Sequence, residues 1–296
     1  MIDRQCEEPE YSPEELKAMA EQDEAEEQYR HEIETRFQRH GFVAFLDLLG
    51  YSQIAATDDA EIISIVMNTI QRAKESAKQR LLEEDHRDNG QPTAFWAASL
   101  YADIRVTFIS DSIIIHQDLA GDDILSGLPE DRDAALCFDT YWFIRFVREV
   151  YSELLRKQLP SRCGIAYGNY FWNCEKESLL AGSALIEAHR VSESLPFTGT
   201  VLCDSITTGL ADALAKADEC CLLNAYLVRD LQLRLRDNLF FKGTVVRPNL
   251  TDEDVGDIEA FVKNQYTSFG KRIANDAVQY KLEKTVELFK ILYPSS

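Results

Sequence analysis

The chain has 296 residues, 45% of them hydrophobic, enough for one substantial core with terminal extensions or for two domains. Its 31 basic residues face 51 acidic ones, a formal charge of −20, which excludes broad binding to duplex nucleic acid but not a small anion met by locally gathered cations. No run of about 18 apolar residues occurs, so no membrane-spanning helix is expected, and the acidic start does not read as a signal peptide; the expected location is the cytoplasm.

Residues 1–40 carry 13 acidic and 5 basic side chains. Ser12, Pro13 and Glu15 read as a helix start, so this segment is expected to be a solvated helical extension, with a disordered arm as the alternative. Phe42–Leu49 reads as a buried strand with Asp47 in an otherwise apolar run. Residues 60–84 carry Ile62, Ile63, Val66, Ile70, Ala73 and Ala77 at helical spacing. "SLYADIRVTFISDSIIIHQ" reads as a β-hairpin, its two strands flanking Asp111 and Ser112. Residues 133–158 form a helix whose Phe143, Val147, Val150 and Leu154 share a face widened by Trp142 and Phe146; Pro160 stops it.

"RCGIAYGNYF" is then a strand, "WNCEKESLL" a loop, "GSALIEAHRVSES" a helix, "TGTVLCD" a strand and "SITTGLADALAK" a helix. "DNLFFKGTVV" is the last strand, and 251–293 a mostly helical, charged tail. The domain reading is an extension over 1–40, one catalytic domain over 41–248 and a helical extension over 249–296. The order from Phe42 is βαββαβ followed by αβαβ, an α+β chain with a ferredoxin-like core. The seven cysteines lack a CxxC pair and read as reduced, mostly buried thiols.

In a βαββαβ sheet, strands one and three pair in the middle; the strand before the hairpin turn is expected beside the first. Asp47 near the end of strand one and Asp111 at the hairpin tip would then converge. Two carboxylates are the donor set that hard divalent cations share with substrate phosphates, and two such ions can clamp a phosphoryl transfer. Gly50 permits a sharp turn after the strand. Singly, Asp47 suits a strand end, and Gly50 and Asp111 suit turns.

Taken together, "FLDLLGYS", "FISDSIII", "RCGIAYGNY", "GSALIEAHRVSE" and "FFKG" resemble, in order, the motifs of the class III nucleotidyl (adenylate/guanylate) cyclases, from about Phe42 to Val246. Ser110 stands where that family usually has glycine. The resemblance implies that Asp47 and Asp111, with the Leu48 carbonyl, hold two Mg²⁺ or Mn²⁺ ions, and that the backbone of Leu49, Gly50 and Tyr51 meets the triphosphate. It implies that Arg190 neutralises transition-state charge and that Lys242 binds the terminal phosphates. It further implies a homodimer in which one protomer supplies Asp47 and Asp111 and the other Arg190. On the residues alone, Arg190 also suits a cation near a helix C-terminus and Lys242 an exposed strand-end lysine.

Three positions depart from the purine cyclases. Thr107 stands where a lysine or glutamate reads the base, Leu179 where a second base reader is aligned, and Ile186 where an asparagine is usual. The pattern of retained metal aspartates and lost purine readers resembles the bacterial pyrimidine cyclases of anti-phage (Pycsar) signalling. The expected substrate is UTP, or failing that CTP, with Tyr51 or Arg105 filling or reading the base pocket beside Thr107. Alternatives are a non-catalytic nucleotide-binding module of the same fold and a purine cyclase with shifted contacts.

Overall fold

The computed structural model describes residues 22, 38–51, 60, 64, 67–68, 71–72, 75–76, 79, 104–119, 132–173, 180–219, 223, 225–268 and 275–294. The acidic extension before Gln38, apart from Gln22, lies outside these, as do residues 80–103, which include the first residues of the expected hairpin, and Leu179.

Strand β1 (Gln38–Leu48) is an interior strand of the sheet, paired on both sides. Phe42, Ala44, Leu46 and Leu48 point into one core and Val43 and Phe45 into the other, which is why the strand reads as a continuous apolar run. It begins at Gln38 rather than Phe42, because polar residues 38–41 continue the ladder opposite 168–171 of β4. Every described residue between Tyr51 and Gln79 is helical, at the positions where the apolar spacing places a helix.

The hairpin strands are β2 (Arg105–Ile109) and β3 (Ser112–Asp118). The strand after the turn, β3, lies beside β1, and the strand before it, β2, lies at the sheet edge. This corrects the expected neighbour of β1. The cause is burial: Ile113, Ile114 and Ile115 are covered on both faces, whereas β2 is half-exposed along its length and suits an edge.

Helix α1 (Arg132–Arg156) packs Trp142, Phe143, Phe146, Val147, Val150 and Leu154 on one face of the sheet. Strand β4 (Ser161–Trp172) pairs with the other side of β1, and the short β5 (Leu180–Ala181) pairs with β4. Helix α2 (Ser183–Ser194) covers the opposite face. A Cβ at Gly164 would meet the Ala188 carbonyl oxygen at 2.3 Å, so glycine there lets α2 lie directly on β4.

Then come β6 (Gly199–Leu202), α3 (Asp204–Thr207), α4 (Ala211–Glu219), β7 (Leu227–Arg234) and β8 (Phe240–Val246). The sheet order is β2-β3-β1-β4-β6-β8-β7. Its β2-β3-β1-β4 portion has the ferredoxin-like arrangement, and the fold class is α+β. The predicted helix over 205–216 is two helices, with Gly209 between them. Strand β7 is not evident in the sequence: a bulge between Val228 and Leu231, with Asp230 at φ 50°, breaks the alternation that would mark it.

The tail is helical, as expected: α5 (Asp252–Val255), α6 (Ile258–Thr267) and α7 (Asp276–Leu292). It is not merely a solvated appendage. Val262, Tyr266, Leu288, Phe289 and Leu292 form one buried cluster with Phe197, Val201, Leu231 and Val245 of the sheet.

Phe289→Ala is expected to lower unfolding free energy by about 3–5 kcal/mol, read from the urea midpoint, because Phe289 is 1% exposed. An unchanged midpoint would show α7 to be separate from the cooperative core.

Candidate active site

The ladder between β1 and β3 ends on the pair Asp47 and Ser112, one residue after Asp111. The Leu48 amide donates to the Asp111 carbonyl at 2.9 Å, which ties the hairpin tip to the end of β1. Asp47 and Asp111 are therefore brought to one end of adjacent strands. Ser110 in this turn has φ 57°, the left-handed region that glycine tolerates best, so the usual glycine there has a steric reason. Gly50 has φ 80°, in keeping with a sharp turn after β1.

Asp47 does not lie unpaired. Arg162, opposite it on β4, places both Nε, at 3.1 Å, and Nη2 on Asp47 Oδ2. Their side chains are 18% and 12% exposed. Nη1 of Arg162 donates to the carbonyls of Glu193 at 2.8 Å and Leu195 at 3.4 Å, at the C-terminus of α2. A cation there also complements the partial negative charge of the helix end. Arg162 was not among the sequence candidates. Its signal was its place in "RCG", in register with Asp47.

The Leu49 amide donates to the Pro160 carbonyl at 2.9 Å. With Leu48 and Leu49 so engaged, their N–H groups are committed within the protein, and the backbone left for an anion is that of Gly50 and Tyr51. The Tyr51 ring meets Phe108 edge-on at 5.9 Å, on the α1 side of the sheet. Arg105 and Thr107 alternate with Val106 and Phe108 and so belong to the α2 side, where the Arg105 guanidinium lies 3.7 Å over the Trp172 ring. Tyr51 and Arg105 thus do not share one pocket within the chain.

Arg190 and Lys242 do share one. Both line a cleft of about 520 Å³ between α2 and β8, with Glu187, Asp204 and Asp230 also on its wall. Lys242 Nζ lies 3.7 Å from Asp230 Oδ1, both side chains well exposed. Arg190 is exposed and has no ion pair among the described residues. Ile186, one turn before it on α2, is 52% exposed. The candidates therefore fall into two groups within the chain: carboxylates and turn at the end of β1, and cations in the α2–β8 cleft.

The donor set at β1 fits a small hard cation. Oδ2 of Asp47 is engaged by Arg162, which leaves Oδ1, and among the described residues the Asp111 carboxylate has only a long 3.4 Å contact from the Ser112 hydroxyl. No cluster of three or more His, Cys, Asp or Glu side chains occurs among the described residues. Two carboxylates with remaining positions filled by ligand phosphates and water is a Mg²⁺ pattern rather than a Zn²⁺ one. The thiols of Cys163 and Cys203 are buried, and burial pushes both up, which keeps them protonated and unreactive.

Beyond Arg105 the same face holds a buried polar cluster. His116 is 1% exposed, its Nδ1 3.4 Å from the Tyr170 hydroxyl and its ring 5.2 Å from Trp172. Nε2 of His116 has no hydrogen-bond partner among the described residues. Tyr170 donates to Asp118, which also pairs with Arg39 at 3.4 Å. Burial, helped by the nearby Arg105, pulls the His116 pKa down to about 4.

No protein-family model matches the chain, and no curated protein does. Solved structures similar to it include the catalytic core of a rhodopsin-guanylyl cyclase with converted specificity in complex with ATPalphaS, at 11% identity over 71% of this chain and 96% of that one, with a TM-score of 0.40. The monomeric guanylyl cyclase domain of the RhoGC fusion protein from the aquatic fungus Blastocladiella emersonii is 12% identical over 71% of this chain and 95% of that one, with a TM-score of 0.40. The adenylyl cyclase CyaB from P. aeruginosa is 12% identical over 73% and 97%, with a TM-score of 0.41.

His116 supplies a pH test of this face. It stays neutral in the fold and takes its proton in the unfolded chain first, so its contribution is intact above pH 6.5 and is lost as pH falls to about 4. Wild type should lose roughly 3 kcal/mol more than His116→Leu across that window in urea titrations. Parallel curves for the two proteins would place His116 in an open, solvated site.

Proposed function

We propose that this protein is a homodimeric nucleotidyl cyclase that converts a pyrimidine nucleoside triphosphate, UTP ahead of CTP, to the 3′,5′-cyclic monophosphate and pyrophosphate. The observation that carries this reading is the convergence of Asp47 and Asp111 through the Leu48–Asp111 hydrogen bond, with Arg190 and Lys242 gathered in a separate cleft. A split of that kind is what a composite site across a two-fold axis requires, each protomer giving one half to each of two sites.

In this reading Asp47 and Asp111, with the Leu48 carbonyl, hold two Mg²⁺ or Mn²⁺ ions. When bound, these supply Lewis-acid activation of the ribose 3′-hydroxyl and offset phosphate charge. Arg162 fixes the rotamer of Asp47 so that Oδ1 faces outward. The Gly50–Tyr51 turn lets backbone approach the phosphates closely. From the partner protomer, Arg190 meets charge developing around the α-phosphorus and Lys242 the terminal phosphates. The pyrimidine preference rests on Thr107, too short to read a purine as lysine or glutamate would, and on the Arg105–Trp172 pair narrowing that side. A role as second-messenger synthase in anti-phage defence rests on the resemblance of the "FLDLLGY" opening.

One observation favours a second reading, a nucleotide-binding module without turnover: Ile186 presents an apolar side chain on the exposed face of α2 beside Arg190. Incubation of the pure protein with each of the four nucleoside triphosphates and Mn²⁺, with products identified by mass, separates the two. Cyclic UMP is expected. A cyclic purine alone would overturn the base assignment, and Mn²⁺-dependent binding with no cyclic product would establish the module.

Asp111→Ala should lower turnover at least about 100-fold while the dimer persists on size-exclusion chromatography. Asp47→Ala should do the same and also destabilise the fold, because it strips Arg162 of its anion. Arg190→Ala should lower kcat more than it raises KM; a change confined to KM would assign Arg190 to ground-state binding.

A further inference from the structure

Helix α7, outside the segment that carries the cyclase motifs, reaches the Asp47 end of the sheet. The connection is traceable. Arg162 binds Asp47 and the Leu195 carbonyl, and three residues on, the Thr198 amide donates to Thr285 Oγ1 of α7 at 2.9 Å. The Tyr266 hydroxyl lies 3.0 Å from both the Thr198 and Thr285 hydroxyls, which closes a buried triad. Thr285 in turn donates to the Lys281 carbonyl at 2.8 Å, one helical turn back. That turn sets Lys281 on the stripe of α7 that faces Thr198, whose neighbour Gly199 pairs with Arg162 in the β4–β6 ladder; its side chain is half-buried and without an ion pair among the described residues. Burial, with Arg162 beside it, holds its pKa below the usual lysine range, while Asp47 acts in the opposite sense.

Two cations thus gather at this end of the sheet. One, Arg162, grips the carboxylate. The other, Lys281, loses solvation without gaining a direct counter-ion, an arrangement that favours a polyanion. A divalent cation on Oδ1 of Asp47 and on Asp111 would draw on the same carboxylate charge that Arg162 already holds through Oδ2, and leave Lys281 to the ligand's own negative charge.

We propose that Lys281 binds the polyphosphate of the ligand, so that α7 completes the Asp47 half-site from within the same protomer. This rests on the cyclase reading for the identity of the ligand, but its chemistry, an ammonium on a metal-bound polyphosphate, is tested without turnover. The probe is inorganic tripolyphosphate with saturating Mn²⁺, titrated calorimetrically into the full chain. Lys281→Met should weaken binding about tenfold, the size of one charge-assisted hydrogen bond, and Lys281→Arg should stay within about threefold of wild type. Lys290→Met, on the same helix but paired with Glu259 at 2.7 Å, should bind as wild type does. In the unmodified chain, Mn²⁺ with tripolyphosphate should also protect Lys281 from acetylation, read by peptide mass, which needs no variant to fold.

Wild-type affinity in Lys281→Met, equal losses in Lys281→Met and Lys290→Met, no binding of tripolyphosphate by wild type, or no protection of Lys281 would each overturn the proposal. The two readings fail separately. Loss of binding in Lys281→Met with no cyclic product from any nucleotide keeps Lys281 and removes the cyclase. Cyclic product with unaltered Lys281→Met binding keeps the cyclase and reduces Lys281 to a structural counter-charge.

Discussion

The pairing of Asp47 with Arg162 governs the arrangement of the site. A carboxylate carried into the sheet by an otherwise apolar strand is costly unless it is neutralised, and here the neighbouring strand supplies a guanidinium with two nitrogens on one oxygen. The third nitrogen reaches the last carbonyls of α2. One side chain therefore sets the direction of the acidic group, satisfies the end of a helix and holds that helix in register with the sheet. Replacing it by lysine would keep the charge and lose the fork.

Much of this was legible in the sequence, for identifiable reasons. β1, α1, α2 and β4 are buried on one or both faces, so their apolar patterns carry their structure. The motif residues sit where strand ends and glycine turns place them. What was hidden depends on contacts between segments far apart in the chain. Nothing near Arg162 announces that it pairs with Asp47; only the antiparallel register of β1 and β4 does. The neighbour of β1 is not legible because both hairpin strands look apolar, and only the extent of covering separates β3 from β2. Strand β7 is hidden because its bulge interrupts the period of two, and the apolar spacing over 205–216 runs on across Gly209, where the structure divides it into two helices.

The C-terminal helices illustrate the same limit from another side. Their charged surface suggests an appendage, yet Leu288, Phe289 and Leu292 fill the space over β6, β7 and β8. A helix can be polar over most of its circumference and still contribute a full core stripe. The other face of these strands is covered separately, with Leu202, Leu227 and Val246 in the cluster of α1 and α4, so burial of Val201, Leu231 and Val245 draws largely on these helices.

The close approach at Gly164 has a further consequence. At Gly164 the backbone of α2 is seated directly on β4, with no side chain between them at that point, and small residues, Ala166, Ala184 and Ala188, line the contact around it. That contact restricts tilting or rolling of the helix as a way to refine where Arg190 points. In the proposed dimer, fine adjustment of Arg190 against the partner's carboxylates then falls to movement of whole protomers. Its natural control variable is the angle between the two subunits rather than any motion inside one of them.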